Sequence, residues 1–140
     1  MVDKPCYVDI NVFVYWLGNH PKFGKTAFEW IKKIENSPRG DYVTSSLTLY
    51  EILVVLAGLT GKNLRDKRFI EEVLNSITQI KGLAIEPLKQ EDFNRALDLM
   101  KEYPLDYEDA LHLAVATRTK AQGIVSNDKD FDDGPIKRKM

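Results

Sequence analysis

Cysteine is nearly absent from this chain: Cys6 is the only one in 140 residues. No intrachain disulfide can form, so the fold must rest on packing. That usage suits a reducing compartment, and a cytoplasmic location is expected. Histidine is scarce as well, at two residues, which argues against a structural zinc site. No apolar run is long enough to span a bilayer, and no apolar stretch follows a basic start as in a signal peptide, so no membrane association is expected. Neither sign of charge dominates, with 20 Lys+Arg against 21 Asp+Glu and a net charge of −1. There is no global electrostatic case for nucleic-acid binding. A glycine-rich phosphate loop, a Ser/His/Asp nucleophile elbow and a dinucleotide fingerprint are all missing.

What remains has the balance of a globular protein, 44% hydrophobic and 29% charged. The length suits a single domain spanning residues 1–140. Cys6 to Asn11 begins as a short apolar run that stops at Asp9; the β-branched Val8, Ile10 and Val12 favour a strand, with Asp9 near its end. Val12 to Leu17 reads as a short helix, ended by Gly18-Asn19-His20-Pro21. Ala27, Trp30, Ile31 and Ile34 have amphipathic helical spacing. Tyr42 to Ser45 is a second strand. Ser46 to Leu59 is a helix apolar nearly all round, which requires burial on most sides or a partner subunit. A homodimer is therefore expected, with Tyr15, Trp16 and Leu53 among the interface candidates. Thr60-Gly61 supplies the stop, glycine being able to take a left-handed turn. Ile70, Val73, Leu74 and Ile77 mark a fourth helix, Leu83-Ala84-Ile85 a third strand, and Phe93, Ala96, Leu97 and Met100 a fifth helix. A sixth helix runs from about Asp106 to Lys120. Gly123 to Ser126 is a fourth strand, and Gly134 to Met140 is either frayed or an edge strand. Strands alternating with helices predict a parallel sheet covered on both faces.

Four acids stand out within this frame. Asp9 ends the first strand, Glu51 is the only acid in an apolar helix, Asp109 opens the sixth helix, and Asp128 follows the apolar run Ile124-Val125. Each has a plainer reading. Asp9 caps a helix, Glu51 faces solvent beside Thr48, Asp109 is a third-position acid behind an Asp106 cap, and Asp128 forms a turn. Taken together they are more specific, because strand ends and helix starts converge at the C-terminal edge of a parallel sheet. Carboxylates gathered there repel one another unless a cation intervenes. Hard divalent ions with oxygen ligands, Mg²⁺ or Mn²⁺, are the natural choice. That chemistry points to metal-assisted hydrolysis of a phosphoryl ester. Setting four acids aside would leave the rest of the surface mildly basic. Lys62, Arg65, Lys67 and Arg68 could then form a rim, or simply a solvated face. His112 shares a helix face with Asp109 and is either a ligand or proton shuttle, or a buried histidine bonded to a neighbour. Cys6 reads as an inert core thiol.

The motifs around these acids resemble those of PIN domains. Tyr7-Val8-Asp9-Ile10-Asn11-Val12 is similar to that family's opening motif and Ser45-Ser46-Leu47-Thr48-Leu49-Tyr50-Glu51 to its second. Tyr107-Glu108-Asp109-Ala110-Leu111-His112-Leu113-Ala114 resembles the third and Val125-Ser126-Asn127-Asp128-Lys129-Asp130-Phe131 the fourth. The size and layout resemble the VapC toxins of prokaryotic toxin–antitoxin pairs. The resemblance implies a three-layer α/β/α sandwich with a central, mostly parallel sheet. It also implies a Mg²⁺- or Mn²⁺-dependent endoribonuclease, a homodimer, an RNA substrate and a small antitoxin partner; the alternatives are a non-toxin RNA-processing enzyme, a flap-type DNA nuclease or a catalytically silent protein-binding module of the same fold. By motif, Asp9, Glu51, Asp109 and Asp128 would be catalytic metal ligands, with Asn11 and Ser46 as supporting polar groups. Asp130 and Asp132 are nearby acids left without a role. The family's last strand is hard to find near Gly134-Pro135-Ile136, and Asp106 is an additional acid.

Overall fold

The computed structural model describes residues 4–140. Five strands form one sheet in the order β3-β2-β1-β4-β5, and every neighbouring pair is parallel. They are β1 (Cys6–Val8), β2 (Tyr42–Ser45), β3 (Leu83–Glu86), β4 (Gly123–Val125) and β5 (Arg138–Lys139). Six helices connect them: α1 (Ile10–Leu17), α2 (Gly24–Glu35), α3 (Ser46–Thr60), α4 (Lys67–Thr78), α5 (Gln90–Glu102) and α6 (Tyr107–Arg118). A 3₁₀ turn, Lys129–Asp133, joins β4 to β5. The edge strand β5 is only two residues long, which explains why no strand signal stands out near Ile136.

Strand periodicity sorts the helices into two layers, because alternate side chains point to opposite faces of a sheet. Cys6, Val8, Tyr42, Leu83 and Val125 face one core with Val12, Ala27, Ile31, Ile34, Ile52, Leu56, Val73 and Ile77, so α1 to α4 cover that side. Tyr7, Val43 and Ile124 face a second core with Ala96, Leu99, Ala110, Leu113, Ala114 and Phe131, from α5, α6 and the 3₁₀ turn. The result is a three-layer α/β/α sandwich. Among the described residues, no helix is long and apolar enough to cross a membrane.

Helix α1 begins at Ile10, two residues before the apolar pattern starts, because the Asp9 carboxylate accepts from the Ile10 N–H as N-cap. Helix α3 ends at Gly61, whose φ of 71° is the left-handed conformation expected of it. Its apolar circumference is divided. Ile52, Leu53, Leu56 and Ala57 are buried, whereas Tyr50, Val54, Val55 and Leu59 are exposed. Leu53 therefore belongs to the chain's own core and is not available to a partner. The basic cluster Lys62–Arg68 follows the far end of α3. At 1.5 Å per residue the helix carries it ~22 Å from the strand ends. Those charges cannot rim a site at the strand termini, and Arg68 is already paired with Glu72.

Candidate metal centre

The parallel register brings the ends of β1 and β4 side by side. Val8 pairs with Val125, so the next residues, Asp9 and Ser126, leave the sheet together. Ser126 Oγ donates to Asp9 Oδ2 at 2.8 Å, and accepts from Asn11 Nδ2 at 3.1 Å and from the Asp128 N–H at 3.0 Å. One hydroxyl thus meets its full complement of one donor and two acceptors, fixing Asp9, Asn11 and Asp128 about one point. The Asn11 side-chain oxygen also faces the Asn127 N–H at 3.4 Å. Asp128 caps the 3₁₀ turn by accepting from Asp130 N–H. Asp106 caps α6 by accepting from Asp109 N–H at 2.8 Å, which leaves the Asp109 side chain free to face the crevice. Capping and site placement therefore coexist at Asp9 and Asp128.

Asp109, Asp128 and Asp130 each present a carboxylate oxygen within 4.8 Å of the others. The electrostatics of this group are unbalanced. Asp109 is pushed up to about 7 by partial burial and then by the charges of Asp128, Asp106, Asp9 and Asp130. Asp9, 3% exposed, is raised by burial, against the countervailing charge of His112 and the bond from Ser126, with Asp128 adding to the rise. Three of these acids gather within reach of one ion, and Asp9 is tied to them through Ser126 and by its charge on Asp109.

Glu51 lies in a different group. It stands with Glu108 and His112, again within 4.8 Å. The His112 ring is 1% exposed, with Nε2 2.5 Å from Glu51 Oε1 and Nδ1 2.6 Å from the Tyr7 hydroxyl. Burial would hold Glu51 up, but the bond to His112 and its charge outweigh it, and the carboxyl is lowered. Glu108 is raised to about 7, first by its hydrogen bond with Glu51. Burial alone would depress His112; the Tyr7 oxygen, Glu51 and Asp9 overcome it and raise the imidazole well above its usual value. His112 is thus a buried histidine bonded to its neighbours. Glu51 is neither free nor solvent-facing.

The remaining expected residues fall outside these groups. The Ser46 hydroxyl accepts from Leu88 N–H and braces the turn after β3. Asp132 is bonded to Arg138 on β5. Ser126, Tyr7 and Glu108 are parts of the site to which the chain pattern assigned no individual role. Ser126 could be found only through register, since nothing local marks a serine after a strand.

Oxygen donors at this density are the coordination chemistry of a hard divalent ion, and an acid raised to about 7 by burial and by its acidic neighbours has charge that such an ion would neutralise. The donor set fits Mg²⁺ or Mn²⁺. A parallel α/β sandwich with carboxylates at its strand ends defines the broad class of acidic-crevice α/β proteins. Residues 6–137 match the family model for the PIN domain, and the chain belongs to that family. Among solved structures it is similar to the Mycobacterium tuberculosis toxin VapC20, described as cleaving the sarcin–ricin loop. The identity is 17%, with 94% of this chain and 95% of that one covered and a TM-score of 0.74. It is also similar to a toxin–antitoxin complex from Klebsiella pneumoniae (21% identity, 93% and 92% covered, TM-score 0.65). A third is VapBC2 from Rickettsia felis bound to a DNA fragment from its promoter (16%, 95% and 96%, TM-score 0.68). No curated protein matches the chain.

Proposed function

We propose that this protein is a Mg²⁺- or Mn²⁺-dependent endoribonuclease, one domain over residues 1–140, and the cytoplasmic toxin of a VapBC-type pair. The observation that carries the nuclease reading is the convergence of Asp9, Asp109, Asp128 and Asp130 on one crevice, with Asp109 raised to about 7. Asp9, Asp109, Asp128 and Glu51 are the assigned metal ligands, and Asn11 and Ser126 orient Asp9 and Asp128. When bound, the ion supplies charge neutralisation and Lewis-acid polarisation of a phosphodiester oxygen. The protein's own part is to hold its carboxylates in fixed directions. Ser126 and the Ile10 N–H do this for Asp9, and the Asp106 cap positions the first turn of α6 for Asp109. Structured RNA is the proposed substrate and a small antitoxin the proposed partner, a reading supported by the relatives described as a loop-cleaving toxin and as toxin–antitoxin complexes. A homodimer is supported by the exposed apolar residues Tyr50, Val54 and Leu59 of α3 and Phe93 and Leu97 of α5.

The test is cleavage of structured RNAs by wild type and Asp9→Asn, each with Mn²⁺ and with EDTA. Cleavage by wild type in Mn²⁺ alone is expected. Equal cleavage in EDTA, or by Asp9→Asn, would overturn the assignment. Sedimentation as a monomer at high micromolar concentration would refute the dimer.

A further inference from the structure

One chain of buried contacts lies outside the role given to the four aspartates. The Ser45 N–H, at the end of β2, donates to the Tyr7 hydroxyl at 3.2 Å. That hydroxyl lies 2.6 Å from His112 Nδ1, and His112 Nε2 lies 2.5 Å from Glu51 Oε1. Tyr7 is fully buried and His112 almost so. Each ring nitrogen has a single partner, so the imidazole has no spare hydrogen-bonding capacity and is held at both ends. The links come from β2, β1, α6 and α3. Tyr7 lies two residues before Asp9 and His112 three residues after Asp109. The chain therefore ties Glu51 to the same two elements that carry crevice acids.

A glutamate has three side-chain torsions, and one that is only partly buried, as Glu51 is at 13% side-chain exposure, samples several rotamers unless something restrains it. Here the restraint comes from below, out of the core, rather than from solvent. We propose that His112 and Tyr7 are positioning residues that hold the Glu51 carboxylate at one point beside the crevice. His112 does so by direct contact and Tyr7 by fixing the ring. This rests on the metal-nuclease reading above. Groups that orient a metal ligand through a hydrogen bond typically change metal affinity or activity by about 10–100-fold when removed.

The experiment is a cycle of His112→Asn, Glu51→Gln and the double variant, with Mn²⁺ titrated calorimetrically and RNA cleavage measured. If His112 acts through Glu51, each single variant weakens Mn²⁺ binding by about tenfold or more and lowers kcat with little change in KM for RNA. The double variant is then no worse than Glu51→Gln alone. Tyr7→Phe, which keeps the ring and loses only the hydroxyl, gives a smaller loss of the same kind and serves if His112→Asn fails to fold. Additive losses, or full Mn²⁺ affinity in folded His112→Asn or Tyr7→Phe, would overturn the proposal. Wild type that binds no Mn²⁺ would instead refute the nuclease reading. The clamp is then read by NMR of the metal-free protein. Two distinct, slowly exchanging ring-nitrogen environments are expected for His112, the Nδ1 resonance shifted by Tyr7→Phe and the Nε2 resonance by Glu51→Gln. A rapidly exchanging ring would refute it.

Discussion

Helix α6 has a cluster of ionised groups at each end, and the two clusters have opposite electrostatic fates. At the C-terminal end Arg118 donates to both oxygens of Asp92 at 2.9 Å, to Glu86 and to the Pro87 carbonyl. Burial would raise Asp92, but the Arg118 bonds and the Lys89 N–H overcome it, and the carboxyl is lowered. At the N-terminal end Asp109 sits in the first turn, where the helix dipole favours an acid, yet burial, and then the charges of its acidic neighbours, push it up to about 7. The first cluster is closed: a planar guanidinium meets two carboxylates and a carbonyl, and its charges are answered within the chain. The second is open: Asp9 is partly answered by His112 and Ser126, but Asp109 meets only burial and the repulsion of other acids. Closed clusters are structure. The repulsion at the open one is what a bound divalent cation would relieve.

Breaking the closed cluster should have the largest effect on stability. Arg118→Ala strands the buried Asp92 carboxylate and should cost about 3 kcal/mol, the scale for removing one partner of a buried pair, seen as a lower midpoint in urea. A loss below about 0.5 kcal/mol, the scale of surface pairs, would make the cluster ordinary surface. Filling the open cluster should come next. Mn²⁺ at a hundredfold excess over its Kd should stabilise wild type by roughly 2.7 kcal/mol and leave Arg118→Ala with the same increment. An unmoved melting temperature would mean that the crevice holds no ion.

Relieving the open cluster should have a smaller effect and the opposite sign. Asp128→Asn should stabilise the EDTA-treated protein by about 1 kcal/mol, a figure discounted for solvent screening, while reducing the response to Mn²⁺. A lower melting temperature in EDTA would show that its capping bond to Asp130 outweighs the repulsion. The pH dependence follows the same logic. Asp109 and Glu108 have folded values of about 7, above their unfolded ones, so the folded state binds protons more tightly. Stability of the metal-free protein should rise as pH falls from about 8 towards 5. Below about 4 the trend should reverse, because Asp92 and Glu51 are lowered and lose their favourable pairing on protonation. Thermal melts in EDTA across that range check both limbs, and a flat profile between pH 8 and 5 would contradict the open cluster.

Much of this architecture was readable along the chain. The β-branched residues around Val8 and the abrupt carboxylate at Asp9 mark the first strand, and the helical spacings at Ala27–Ile34 and Ile70–Ile77 mark real helices. Asp9, Asp109 and Asp128 were conspicuous because each interrupts or bounds an apolar run, a local signal. Glu51 was conspicuous for the same reason, but its pairing with His112 spans 61 positions and depends on how α3 approaches α6. Ser126 escaped notice because its role arises only when β1 and β4 align in register. The basic cluster at Lys62–Arg68 left two readings open because composition carries no distance; fifteen helical residues separate it from the strand ends, so it is the solvated face and not the rim.

The central position of β1 has a consequence for synthesis. The first strand pairs with β2 and also with β4, and the bond from Ser126 to Asp9 spans 117 residues. Such non-local pairing delays folding, because a long loop must close before the contact forms. At typical translation speeds of about 5–20 residues per second, roughly ten seconds separate the emergence of Asp9 from that of Ser126. Once Tyr42–Ser45 has emerged the nascent chain can pair β1 with β2, yet it still lacks the hydroxyl that orients Asp9 and the whole segment bearing Asp128 and Asp130. A ribosome stalled anywhere before this segment therefore carries an inert chain, and the crevice assembles only as a late event in the polypeptide's production.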